Sequence, residues 1–333
     1  MTKVAIVISD MHLHFWEHYN QDGDRISTTL EFLEGIFKKA ERSDVPILFA
    51  GDLFHTPEGL KSPTINAVYP ELIKLFYRYP SVHFYAISGN HDQYTKNYLN
   101  KPSISYVGGL ANSIKNFHLL DMSGYTFKNG LSIYGIPYLY LNTDIDLALM
   151  EATNFFVKQP SLNILLMHTT ITGSTDTNGY EVREASISKT ALEGIADLTL
   201  VGHIHKHQKM AKGVYHIGSS VHVKVSDEGY TPVYLDIYMT GSSLKVVTKE
   251  VTPVKIFKTY TDVKEKDDSP NTMWVHKIAK DDTSQRVDDE PTDIQDLEAL
   301  MKSYLKTLEV KDKKIKAAAY DILEKTTQHD TSL

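Results

Sequence analysis

Five short motifs carry residue types that hold metal ions: Asp10-Met11-His12, Gly51-Asp52, Gly89-Asn90-His91-Asp92, the single His168, and Gly202-His203-Ile204-His205. Their side chains offer carboxylate and carboxamide oxygens and imidazole nitrogens, and the chain contains no cysteine. An all-nitrogen-and-oxygen set suits Mn, Fe or Zn and argues against soft-metal chemistry. Two cations roughly 3.5–4 Å apart can activate a water and neutralise the attacking and leaving oxygens of an in-line displacement at phosphorus. Such a pair needs a bridging carboxylate, the role expected of Asp52. Asp10, His12 and His205 are then expected to complete one metal, and Asn90, His168 and His203 the other. His91 follows Asn90 directly, so it is expected to face the scissile phosphate while its neighbour binds metal. There it would stabilise the transition state or protonate the leaving oxygen.

Strands must position these motifs. Most motif members end an apolar run: Val4–Ile8, Pro46–Ala50, Val82–Ile87, Asn163–Met167 and Asp197–Val201. Near-continuous apolar runs suit strands covered on both faces, and the loops after them are expected to converge along one edge of a parallel or mixed sheet. Helices alternate with the strands, as a layered α/β fold requires. Ile26, Leu30, Leu33, Phe37 and Ala40 predict a helix that ends before Val45-Pro46. Ile65, Val68, Leu72, Leu75 and Phe76 predict a second, with Leu72 facing outward, and the stretch from Tyr94 to Ile114 a third. From Val214 to Val251, short β-rich runs alternate with turns such as Thr240-Gly241-Ser242-Ser243, which reads as the second sheet of a two-sheet sandwich.

A chain of 333 residues can bury a large core, and one large domain plus an appendage is the natural division. The absence of cysteine suits a reducing compartment. No apolar run is long enough for a membrane span, and the first one is only a strand's length, so neither a membrane anchor nor a signal peptide is expected. The net charge is -7. Nucleic-acid binding normally rests on counterion release by Lys and Arg, so with a nucleic acid as substrate a partner would be expected to supply the basic surface. Two bound dications would offset part of the deficit locally. After about Val254 the composition turns rich in Asp, Lys, Ser and Pro, bracketing one predicted strand at Met273–Ile278. Thr292-x-x-Gln295 is a capping-box signature opening a helix with Ile294, Leu297, Met301, Tyr304, Leu305 and Leu308 on one face. A second amphipathic helix is predicted from Lys311 to Glu324. Short helices of this kind must dock on the core or on a partner.

In this order, over roughly residues 3–225, D-x-H, G-D, G-N-H-D, a lone H and G-H-x-H resemble the calcineurin-like metallophosphoesterase superfamily. The candidate ligands match its pattern position by position. Two segments narrow the likeness. Gly51-Asp52-Leu53-Phe54-His55 resembles the G-D-L-F-H of SbcD-type DNA double-strand-break nucleases, and Tyr134-Gly135-Ile136-Pro137-Tyr138 resembles their G-I-P-Y segment. The superfamily's protein phosphatases usually carry Arg just after the second motif and G-N-H-E at the third, where this chain has His55 and Asp92.

The resemblance implies a four-layer α-β-β-α metallophosphoesterase sandwich with a small capping domain and a C-terminal helical pair. The corresponding divisions are a nuclease domain at 1–254, capping domain and linkers at 255–290, and a partner-binding segment at 291–333. It further implies a cytoplasmic Mn2+-dependent DNA exonuclease and endonuclease subunit of repair or recombination, similar to phage-type recombination endonucleases. In that reading His55 positions the nucleic-acid strand, and residues 292–324 bind an SbcC-type coiled-coil ATPase. Helices near residues 64–79 and 94–112 form a homodimer interface, or else pack within the chain. A phosphomonoesterase or small-nucleotide phosphodiesterase on the same core is the alternative enzyme. A scaffold that has lost its chemistry is opposed by retention of every candidate ligand together with His91. His14, His18, His83, His118, His222, His276 and His329 read as structural, and Lys206 and His207 as a solvated extension of the last motif.

Overall fold

A computed structural model describes residues 1–15, 24–55, 62–96, 99, 105–159, 162–182, 186–261, 265–266 and 269–276. In chain order the elements are β1 (Thr2–Ile8), α1 (Asp24–Ser43), β2 (Ile47–Phe49), α2 (Ser62–Ala67), α3 (Tyr69–Arg78), β3 (Phe84–Ala86), α4 (Tyr106–Ser113), β4 (Phe117–Leu119), β5 (Ser123–Thr126), β6 (Leu131–Ile136) and α5 (Asn142–Val157). The second half adds β7 (Leu162–His168), β8 (Thr170–Ile171), β9 (Ser186–Ile187), α6 (Lys189–Leu192), β10 (Leu198–Gly202), β11 (Gln208–Ala211), β12 (Val214–His216), β13 (Val233–Thr240), β14 (Ser243–Glu250), β15 (Ile256–Tyr260) and β16 (Thr272–His276). Met1–Lys277 forms one compact unit. The other, Ile278–Leu333, lies outside the described residues.

Two six-stranded sheets run β14-β13-β1-β2-β3-β4 and β11-β12-β10-β7-β6-β5. Because successive side chains on a strand point to opposite faces, each apolar strand feeds two cores. Ile6, Phe49 and Phe84 meet Leu33 and Phe37 of α1 and Leu72 and Phe76 of α3. The intervening Val7, Leu48 and Tyr85 meet Ile133, Leu166 and Leu200 of the other sheet. On that sheet's outer face, Tyr134, Leu165 and Val201 are covered by Ile145, Leu149 and Phe156 of α5 and Leu192 of α6. The layers are therefore α-β-β-α, as expected from the sequence.

The five motif strands divide between the sheets. β1, β2 and β3 are parallel neighbours in the first, β7 and β10 in the second. The motif loops thus gather from the carboxyl ends of two stacked sheets, not along one edge. Residues 214–251 do not form the second sheet either. β12 joins it beside β10, but β13 pairs antiparallel with β1 and brings β14 into the first sheet. Burial of Val233–Ile237 is continuous, as a strand covered on both faces requires, and Asp236 receives Lys3 Nζ at 2.9 Å.

The helix expected over Ile65–Phe76 breaks at Val68, and α3 restarts with a proline in its first turn, where a missing N–H costs little. Within the Tyr94–Ile114 stretch α4 spans only Tyr106–Ser113; residues 97–98 and 100–104 lie outside the described ones. The strand expected at Met273 is β16, paired in parallel with β15. The amphipathic pair from Thr292 to Glu324 is outside the described residues. Among the described residues no helix is long and apolar enough to cross a membrane.

Leu72 does not face outward. It is 1% exposed inside the core between α3 and the first sheet. Truncation to Leu72→Ala is expected to cost about 2–5 kcal/mol. Denaturant melts followed by circular dichroism check this, and an unchanged midpoint would contradict the core placement.

Candidate metal centre

The loops after β1 and β2 continue the parallel ladder beyond the strands. Asp10 N donates to Gly51 O at 3.1 Å, His12 N to Asp52 O at 3.0 Å and Leu13 N to Leu53 O at 2.8 Å. Left-handed backbone recurs here. Asp10, His12, Asp52 and His203 have φ of 51°, 44°, 59° and 90°, a conformation uncommon for residues with a Cβ and one that costs about 1–3 kcal/mol each. Gly51 and Gly89 permit the loops to meet. A Cβ at Gly89 would fall on Asp52 Oδ1, and one at Gly51 on His168 Nδ1.

Asp92, fully buried, joins the second and third motifs. Its Oδ2 accepts from Asp52 N at 2.8 Å, Gly89 N at 2.9 Å and Leu53 N at 3.3 Å, and its Oδ1 accepts from Phe54 N at 2.9 Å. Burial, then the charge of Asp52, push its carboxyl up to about 7.

All seven candidate ligands converge. Asp52 Oδ2 lies 3.6 Å from His12 Nε2 and 3.3 Å from His168 Nε2, facing both halves of the cluster. Its other oxygen accepts from His91 N at 2.9 Å. His12 Nε2 and His205 Nε2 are 3.2 Å apart. Asn90 Oδ1 sits 3.1 Å from His168 Nε2 and 3.1 Å from His203 Nδ1. Asp10 accepts from His203 N at 3.1 Å and from Ser9 Oγ at 2.5 Å. Among the described residues, Asp10, His12 and His205 form one group whose ligand-type atoms lie within 4.8 Å of one another. Asp52, His168 and His203 form a second, and His12, His55 and His91 a third.

Outer partners turn the rings inward. His168 Nδ1 meets Ala50 O at 2.7 Å, and His205 Nδ1 meets Asp227 Oδ2 at 3.3 Å. A hydrogen bond at the second ring nitrogen fixes the tautomer that leaves the first one for a cation. Burial alone would depress the His168 imidazole, yet the Asp52 carboxylate outweighs it and holds the ring at about 9. Burial likewise opposes the shift at Asp52, where His168 brings the carboxyl well below its usual range. His12 is depressed by burial. At His205 burial is outweighed by Asp227, which raises the ring's pKa. Buried and half-buried nitrogens and oxygens gathered around a common space, with the far sides of His168 and His205 engaged, fit a pair of divalent cations.

His91 and His55 also belong to the cluster. His91 Nδ1 meets His55 O at 2.6 Å, and the two rings stack at 5.4 Å. Burial, then His14 and His91, lower His55 to about 3. Tyr138 of the G-I-P-Y segment sets its ring 5.4 Å from His203 and 6.1 Å from His168. Sequence reasoning missed three residues. Asp227 lies outside every motif and is reached through a single 3-10 turn at Val225–Asp227. Asp92 was legible as part of G-N-H-D, but not as an acceptor for four backbone N–H groups. His14, read as structural, stacks on His55 at 4.2 Å. By contrast His83 pairs with His118 at 2.8 Å, and His222 accepts from Phe257 N at 2.9 Å. His207, half-buried, engages the carbonyls of His216 and Ile217.

Residues 4–207 match the family described as calcineurin-like phosphoesterase. No curated protein sequence matches the chain. Among solved structures, TT1561 of Thermus thermophilus is 14% identical with a TM-score of 0.43, covering 75% of this chain and 99% of its own. A protein described as a putative 5'-nucleotidase from Staphylococcus aureus, in complex with alpha-ketoglutarate, is 13% identical with a TM-score of 0.47, covering 74% of this chain and 54% of its own.

Asp227→Asn keeps the shape but removes the charge behind His205. Metal affinity is expected to fall about 10–100-fold, read by calorimetric titration of Mn2+. Unchanged affinity would detach Asp227 from the centre.

Proposed function

Because the chain belongs to the calcineurin-like phosphoesterase family, we propose that its metal-dependent phosphoester hydrolysis is that of a DNA nuclease, an exonuclease and endonuclease subunit using two Mn2+ ions. One observation carries this reading. Both segments that resemble SbcD-type nucleases fold against the metal centre, His55 beside His12 and His91, and Tyr138 beside His203 and His168. The SbcC-type ATPase partner is proposed to bind residues 292–324. A homodimer face near residues 64–79 would use Ile65 and Tyr77, 45% and 75% exposed, in place of Leu72.

Asp10, His12 and His205 would hold one ion and Asn90, His168 and His203 the other, with Asp52 shared. When bound, the ions supply Lewis-acid stabilisation of charge at phosphorus and a water acidified toward neutral pH. The chain's own contribution is orientation and proton handling. His91 Nδ1–H donates to His55 O, and its backbone N–H holds Asp52 Oδ1. That leaves Nε2 to face a phosphoryl oxygen or a leaving alkoxide. Tyr138 walls the second half of the site, and its own backbone is fixed by donation from Tyr138 N to Ser88 O at 2.9 Å.

His91→Gln is expected to lower turnover about 10²–10⁴-fold while both metals stay bound. Elemental analysis beside cleavage of labelled single- and double-stranded DNA checks it, with a generic phosphomonoester as control. Monoester turnover without DNA cleavage would replace the nuclease reading with the small-substrate one.

Metal loading should also be linked to pH. In the metal-free protein His168 keeps its proton up to about 9, so an ion must displace that proton below this value. Affinity is expected to rise with pH toward 9, with about one proton released from this residue per chain at pH 7. Calorimetry in buffers of different ionisation enthalpy counts the protons. Absence of any release attributable to His168, judged against His168→Ala, would mean that the ring is already neutral at pH 7 before an ion binds, whereas unchanged affinity in His168→Ala would exclude it as a ligand.

A further inference from the structure

His55 meets both of the imidazoles beside it by different atoms. Its ring Nδ1 lies 3.2 Å from His12 Nδ1, and its carbonyl oxygen 2.6 Å from His91 Nδ1. His12 points its other nitrogen, Nε2, at His205 and Asp52. On the two-metal reading, that Nε2 must present a lone pair, so the ring proton of neutral His12 sits on Nδ1. A proton there needs an acceptor in a buried site, and among the described residues the atom at hydrogen-bond distance is His55 Nδ1. Metal-bound histidines almost always donate this second N–H to a carbonyl, a carboxylate or a water. Here an imidazole takes that place.

We infer that His55 is a positioning residue for His12 and His91, accepting the His12 proton on its ring and the His91 proton on its carbonyl. The inference rests on the two-metal reading above and replaces the expectation that the His55 side chain serves the nucleic-acid strand. Two structural features support it. His55 follows an anchored run, since Phe54 forms a parallel bridge with Leu13 and its N–H is held by Asp92. His14 then fixes the ring plane, stacking at 4.2 Å with an interplanar angle of 18°, while its own Nδ1 meets His12 O at 3.0 Å. The result is a column of imidazoles, His14, His55 and His91, leaning against His12. His55 is the member that touches both functional rings.

The chemistry separates this role from simple packing. An Asn side chain places a carbonyl oxygen where the ring Nδ1 stands, so His55→Asn keeps the acceptor and loses the stack. His55→Phe keeps the stack and loses the acceptor. Mn2+ titration by calorimetry, with elemental analysis, is expected to give two ions per wild-type chain. The Phe and Ala variants should bind one of them about 10–100-fold more weakly, and the Asn variant should recover most of the loss. Apo melting curves on the same preparations report any folding defect, and the contrast between Phe and Asn remains decisive if the Ala variant fails to fold. Wild-type affinity in the Phe variant, or a loss in Asn equal to that in Ala, would overturn the inference. So would unchanged metal affinity in every variant with loss confined to DNA turnover, which would return His55 to the substrate. Three ions in the wild type would overturn it differently, by placing a cation among His12, His55 and His91. Failure of the wild type to bind two ions would instead remove the two-metal reading itself.

Discussion

The buried Asp92 carboxylate is the tie on which the centre depends. Four backbone N–H groups from two loops converge on it, and hydrogen bonds to a charged acceptor are each worth about 1.5–3 kcal/mol. They hold Asp52 in its left-handed conformation, with one oxygen turned to the two halves of the cluster and the other to His91 N. The same bonds place Phe54, and therefore His55. Burying a second carboxylate beside Asp52 has a cost, visible in the rise of Asp92 to about 7. Two cations next to Asp52 act in the opposite direction, so the same electrostatics favours their binding.

Strain of this kind requires a rigid frame. Four candidate ligands sit at positive φ, and the frame that overdetermines them is two sheets pressed together by Val7, Leu48 and Tyr85 against Ile133, Leu166 and Leu200. Contributions from both sheets explain why neither could build the site alone. The first sheet supplies Asp10, His12, Asp52 and Asn90 from loops after adjacent parallel strands, and the second supplies His168, His203 and His205. Gly51 and Gly89 sit where the loops cross, because any side chain there would occupy the space of Asp52 or His168.

Much of this was legible in the sequence for physical reasons. A strand buried on both faces leaves a continuous apolar run, and a ligand directly after such a run can only lie at the strand's carboxyl end. That logic located Asp10, Asp52, Asn90, His168 and His203. Strand pairing is different, being set by contacts distant in sequence. Nothing local says that Val233–Thr240 lies beside β1, where Asp236 meets Lys3, and not in the other sheet. Helix faces were ambiguous for a related reason. The stripe containing Leu72 is equally suited to a partner or to the chain's own core, and only the packing against Phe37 and Phe84 decides. Asp227 was invisible because its role is defined by a ring that reaches it across a fold of the chain.

The arrangement also bears on how an acidic chain can attract a phosphoester. Of the seven candidate ligands only Asp10 and Asp52 are carboxylates; the rest are an amide and imidazoles, which hold an ion as neutral rings. On the two-metal reading the ligands themselves leave the centre net positive, even though the chain as a whole stands at -7. Asp92 and Asp227 do not face the opening. Their oxygens are committed to backbone N–H groups and to His205. The local field at the site therefore favours a phosphate, whereas the long-range field opposes a polyanion. Screening separates the two, because exposed charges beyond about 10 Å fade at moderate salt while buried ones persist. A site of this design can hold the scissile phosphate by itself and leaves the remainder of a long nucleic acid to be held by another surface, which is the division of labour the partner-subunit reading requires.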